Sequence, residues 1–122
     1  MNNTEEYRQE LLAAWEETYK KGQLTFWLLL SLRQEPLYVS ELKNKIEEVT
    51  EGTISCEEQS LYRSLRKYYD LEIVEYDMRE GNKGPERKYY KLTALGEELL
   101  NNFIQRNIKI LYNPVLKNLI IC

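Results

Sequence analysis

The sequence predicts a mainly helical chain with one small β-hairpin. Three observations predict it. Apolar residues recur at helical spacing in successive segments up to Tyr68. The period then falls to two over 73–78 and again over 86–92. Between those runs lies a loop holding Gly81, Gly84 and Pro85, the composition of a hairpin turn.

Residues 5–20 read as an amphipathic helix, with Tyr7, Leu11, Trp15 and Tyr19 on one face and Leu12 beside them. Thr4 is placed to cap it and Gly22 to stop it. Five Glu against one Arg over 1–17 make its other face acidic. Residues 23–34 are apolar nearly all round, from Phe26 and Trp27 to Leu32, which marks a central buried helix ended by Pro36. Tyr38 or Ser40 opens a third helix over 39–50, where Leu42, Ile46 and Val49 keep the spacing. Glu51 and Gly52 form a turn.

A fourth helix is expected over 56–70. Ser55 and Glu58 have the spacing of a capping box, and Leu61, Leu65 and Tyr68 share a face. Strands follow at 73–79 and 86–92. The second alternates Arg87, Tyr89 and Lys91 with Lys88, Tyr90 and Leu92, which places Tyr89 outward and Tyr90 inward. Thr93 caps a last helix over 94–112, stopped or kinked by Pro114, with an apolar tail beyond it. Three helices and a two-stranded wing are the order of a winged helix-turn-helix, with the fourth helix in the recognition position.

Composition limits the chemistry. The chain has no histidine, so imidazole catalysis and His-containing zinc sites are out. Cys56 and Cys122 form no CxxC pair, and Cys56 reads as a half-buried structural residue. No clustered nucleophile, base and oxyanion signature supports an enzyme, and no metal or cofactor is expected. The longest uncharged apolar run, 24–32, is less than half a membrane span. The first residues lack a basic start and an apolar core, so a cytoplasmic location without membrane attachment is expected. The length fits one domain over 1–122: an N-terminal helix at 5–20, a core at 22–93, and a dimerisation helix and tail at 94–122.

Specific residues carry a family resemblance from about 22 to 100. Gly22 and Leu24 begin it, followed by the Leu28–Leu32 run and Glu35-Pro36-Leu37. Leu61-Tyr62-Arg63-Ser64-Leu65-Arg66-Lys67 continues it. The most specific piece is Gly84-Pro85-Glu86-Arg87-Lys88-Tyr89-Tyr90-Lys91-Leu92-Thr93, with Gly96 three residues on. In these segments the chain resembles the PadR-type transcriptional regulators. The resemblance implies a DNA-binding repressor, dimeric through its terminal helices, in a family where some members sense small aromatic molecules. The final helix is short, so the chain resembles the small subgroup of the family without a long C-terminal domain, and it departs from the family pattern at three further places. Tyr38, Val39 and Ser40 stand where His-Gly-Tyr is frequent. Glu57 and Glu58 open the recognition helix where small neutral residues are usual. Glu72 stands where a glycine often follows that helix.

Charge leaves two readings open. The net charge of -3 and pI near 5.2 favour a winged-helix module that meets protein partners without DNA. Its distribution favours double-stranded operator DNA, because residues 79–91 carry a net +3. On the DNA reading, Lys83, Arg87 and Lys88 of the wing touch phosphates, and Gln59, Ser60 and Arg63 face the major groove. Arg66 and Lys67 add charge on the same helix, and the resemblance puts Tyr62 on the DNA side. Tyr7, Leu11, Trp15, Phe103, Ile104, Ile108, Leu111 and Tyr112 offer more apolar surface than one domain covers, so a homodimer is expected to bury them. Where an aromatic effector acts, its expected seat is the dimer interface, among the first helix, the Trp27-bearing helix and the last helix.

Overall fold

The computed structural model describes residues 4–80 and 84–121. Among these, the elements run α1 (Thr4–Lys20), α2 (Gln23–Leu32), α3 (Val39–Val49), α4 (Glu58–Asp70), β1 (Val74–Glu80), β2 (Glu86–Leu92), α5 (Ala94–Phe103) and α6 (Pro114–Ile121). The expected winged helix-turn-helix is formed.

Its core is one cluster. Leu28, Leu29 and Leu32 of α2 meet Leu42 and Ile46 of α3, Leu61 and Leu65 of α4, Val74 and Tyr90 of the hairpin, and Leu100 of α5. Helices α2, α3 and α4 each supply residues three or four apart, so the period read from the sequence is the buried stripe. Burial of each such side chain stabilises the fold by roughly 1.5–3 kcal/mol.

The turn between α3 and α4 is held by Thr50, which is buried. Its hydroxyl donates to the Ile46 carbonyl at 2.7 Å, and its oxygen accepts the Ile54 N–H at 3.3 Å. Glu51 and Gly52 both take positive φ there, 51° and 79°.

β1 and β2 pair antiparallel, with Val74 opposite Leu92, Tyr76 opposite Tyr90 and Met78 opposite Lys88. Leu37, between α2 and α3, adds a bridge to Tyr90 through reciprocal backbone bonds of 3.0 and 2.9 Å. The linker before α3 is thereby tied to the wing. Thr93 caps α5 as expected, accepting the Gly96 N–H at 3.0 Å.

Three expectations are corrected, at the starts of α4 and α1 and along the last helix. The capping box at Ser55 and Glu58 does not form. Residue 57 is the N-cap, with extended backbone and no side-chain cap bond, and the helix starts at Glu58. Ile54 and Cys56 pack against the core, which keeps the chain extended past the point where Ser55 could cap. The last helix is not continuous over 94–112. After Phe103 the chain makes a π turn over Ile104–Ile108 and a 3₁₀ turn over Lys109–Tyr112. The Asn107 side chain donates to the Phe103 carbonyl at 3.2 Å, competing for the acceptor a regular α-helix would use. The apolar tail is helical, as α6. Asn113 accepts the Val115 N–H at 2.9 Å, and Pro114 occupies the first helical position, where a missing N–H costs nothing.

Helix α1 buries no residue, and neither does α6. Gly22, at φ 80°, separates α1 from α2. Thr4 is the first residue of α1 and not its cap.

Candidate nucleic-acid interface

Helix α4 presents its named residues on two sides. Leu61 and Leu65 are fully buried, which turns Gln59, Arg63 and Lys67 to solvent. Ser60 is half-buried, and its hydroxyl accepts from the Arg63 guanidinium at 3.4 Å. Tyr62 and Arg66 lie on the flank toward the wing, where Tyr69 continues the stripe.

The two strand faces of the wing carry different chemistry. On one, Arg87 sits 4.5 Å from the Tyr38 ring centroid. Tyr38 meets Tyr89 edge-on at 5.4 Å, and Arg79 lies 5.1 Å from the Tyr89 ring. Tyr89 therefore shares the face expected for it, but half-covered. On the other face Lys88 Nζ stands 4.7 Å from the Tyr76 ring, and Tyr76 packs on both Tyr69 and Tyr90. Cation–aromatic contacts of this kind contribute on the order of 0.5–1 kcal/mol each at exposed sites. Tyr90 is 5% exposed, as its inward register requires. Burial pushes its phenol pKa up, Tyr76 and Tyr62 add to the rise, and Arg66 opposes it.

Two clefts lie between α4 and the wing. The larger, about 510 Å³, runs from Tyr38 and Ser40 at the start of α3 to Arg87 and Lys88, with Glu58 and Glu86 also on its wall. Its two acids balance its two cations. The smaller, about 130 Å³, is lined by Tyr62, Arg66, Tyr69, Tyr76, Lys88 and Tyr90, without an acid. A third concavity over Arg63, Arg66, Lys67 and Asp70 extends the basic surface along α4.

Tyr38, Tyr69, Tyr76 and Tyr90 are the cleft tyrosines that sequence reasoning did not assign to the site. Their signal was the high tyrosine content, which does not say which rings reach a surface. Lys83 lies outside the described residues. Cys56 is half-buried, and desolvation raises its pKa, consistent with a structural thiol.

The apolar residues expected at a dimer interface divide as well. Tyr7, Leu11, Trp15, Leu111 and Tyr112 are exposed, Trp15 at 73% and Tyr112 at 74%. Ile104 and Ile108 are half-buried, and Ile104 packs on the core of its own chain. Phe103 is exposed at 43%, with its ring 5.5 Å from that of Phe26. Leu95 and Leu99 of the same broad stripe, and Val115 and Leu119 of the apolar tail, are exposed as well.

The model of the transcriptional regulator PadR-like family matches residues 28–102, from the central helix through the wing to the end of α5. The chain belongs to the PadR-like family. A PadR-like transcription factor from Bacteroides fragilis is 32% identical, with 82% of this chain and 93% of that one covered and a TM-score of 0.64. A PadR-like transcriptional regulator from Bacillus cereus is 28% identical, covers 86% and 98%, and has a TM-score of 0.70. Bacillus subtilis PadR, solved in complex with operator DNA, shares the fold at 22% identity and a TM-score of 0.62, over 68% of this chain and 46% of that one. Membership makes this PadR-like chain a transcriptional regulator and not an enzyme. Among the described residues no helix is long and apolar enough to cross a membrane.

Proposed function

We propose that this PadR-like chain is a repressor that binds double-stranded operator DNA as a two-fold homodimer and competes with polymerase for a promoter. The observation that carries this reading is a set of unpaired cations around the α4–wing clefts. Among the described residues the ion pairs engage Arg33, Lys43, Arg79 and Lys91. Among the same residues, Arg63, Arg66, Lys67, Arg87 and Lys88 have no carboxylate within ion-pair distance. A surface that must meet phosphates gains from cations not already neutralised. In this reading Gln59, Ser60 and Arg63 read base edges, while Tyr62, Arg66, Lys67, Lys83, Arg87 and Lys88 hold the backbone. The complex of the Bacillus subtilis relative with operator DNA supports the same partner here.

Dimerisation through α1 and the C-terminal helices would place two α4 helices about 34 Å apart, one turn of DNA. A small planar aromatic effector, seated among α1, α2 and the C-terminal segment, would change that spacing and release the operator. The adjoining rings of Trp27, Phe26 and Phe103 support that seat. Retention on a DNA column that falls with added salt is the expected result. Flow-through at low salt would favour the alternative, a winged-helix module for protein partners.

A further inference from the structure

We propose that the smaller cleft between α4 and the wing is a phosphate site that takes one backbone phosphodiester of bound DNA, held from both elements at once. This rests on the DNA-binding reading and names what that surface holds at one point.

The cleft has the chemistry of an anion seat. Arg66 comes from α4 and Lys88 from β2, and both line the same concavity. Neither has a carboxylate within ion-pair distance among the described residues. The remaining walls are Tyr62, Tyr69, Tyr76 and Tyr90, whose hydroxyls can donate. Tyr90 is 5% exposed and lines the cleft, where its hydroxyl would donate to a bound phosphate oxygen.

Size and charge select the ligand. At about 130 Å³ the cleft is well below the roughly 300–1,000 Å³ of pockets for drug-sized molecules, so it suits a single group and not a planar effector. The larger cleft beside it carries two acids and lacks the same excess of positive charge. Lys88 is held over the Tyr76 ring, and Tyr76 packs against Tyr90, so the ammonium is positioned before DNA arrives. Lys88 and Arg66 then act as one clamp, fixing the wing and the recognition helix on the same phosphate.

The test is the salt dependence of binding to a short duplex, for wild type, Arg66→Gln, Lys88→Gln, the double variant and Tyr90→Phe. With one shared phosphate, either cation still neutralises it alone, so each single variant leaves the log–log slope nearly unchanged. The double variant lowers the slope by about 0.9, one phosphate's worth. Tyr90→Phe keeps the ring and the fold and weakens binding about tenfold at fixed salt. Singles that each lower the slope by about 0.9 and a double that lowers it by about 1.8 mean two separate phosphates and overturn the site. An unchanged slope in the double variant, or a Tyr90→Phe variant that binds like wild type, overturns it too. Wild-type protein that fails to bind duplex at low salt overturns the DNA-binding reading itself, a result distinct from these.

Discussion

Gly96 lies directly under the carbonyl of Ile73: a Cβ at position 96 would stand 2.1 Å from the Ile73 oxygen. The first turn of α5 is thus pressed onto the chain entering β1. Thr93 fastens the same junction, with its N–H donating to the Ile73 carbonyl at 3.1 Å and its hydroxyl to the Glu72 carbonyl at 2.6 Å. The spacing of Thr93 and Gly96 in the sequence is therefore a packing requirement between wing and helix.

Gly96→Ala should destabilise the fold by about 3 kcal/mol, because the clash is with backbone and no side chain can swing away. A thermal melt should show Tm falling by on the order of 10 °C. Ala94→Ser, one turn position earlier and exposed, should melt close to wild type.

Glu72 holds φ 63° immediately after α4, a conformation that suits glycine. Left-handed backbone costs an ordinary residue about 1–2 kcal/mol, and glycine's extra chain entropy offsets about half of that. Glu72→Gly should therefore raise stability by about 0.5–1 kcal/mol, read as a shift in the urea midpoint with an unchanged slope.

Much of this architecture was legible in the sequence, for reasons that can be named residue by residue. Leu42 and Ile46, or Leu61 and Leu65, are buried because helical spacing and core facing are the same fact. Val74 and Tyr90 follow from alternation. What misled was local competition. Ser55 has capping chemistry, but Ile54 and Cys56 pack on the core and delay α4. Asn113 and Pro114 look like a stop, and they are also the cap and first turn of α6. The π turn at Ile104–Ile108 depends on Asn107 reaching back to Phe103, a side-chain choice that apolar periodicity does not report. At the candidate interface the sequence named charged residues of α4 and the wing, whereas the Tyr69, Tyr76 and Tyr90 stack required knowing which strand face α4 covers.

Tyr90 also sets an alkaline limit. Its folded pKa is raised above the ordinary 10.0 by burial, so the folded chain keeps the proton after the unfolded chain has lost it. The contribution to stability is complete below pH 10 and is lost as pH rises through the folded value. Unfolding free energies measured upward from neutral pH should fall more steeply for wild type than for Tyr90→Phe.

The exposed faces of α1 and α6 make a dimer the expected solution state. Light scattering at micromolar concentration should give twice the chain mass of 14.7 kDa. Leu11→Glu and Leu119→Glu should each shift the distribution toward monomer while leaving the helical content of the core intact.

The central claim is that Gln59, Ser60 and Arg63 of α4 read sequence while the wing, with Tyr62, Arg66 and Lys67 of α4, holds phosphates, and one titration tests it most directly. Operator duplex, selected from a random library by the wild-type protein, and a scrambled duplex of equal length are titrated with wild type, Gln59→Ala, Arg63→Ala and Arg87→Ala at several salt concentrations. Gln59→Ala and Arg63→Ala should each weaken operator binding by roughly 1–3 kcal/mol and scrambled binding far less. Arg87→Ala should weaken both duplexes alike and make the salt slope shallower by about one counterion. If Arg87→Ala alters sequence preference while Gln59→Ala and Arg63→Ala do not, the division of roles between helix and wing is wrong.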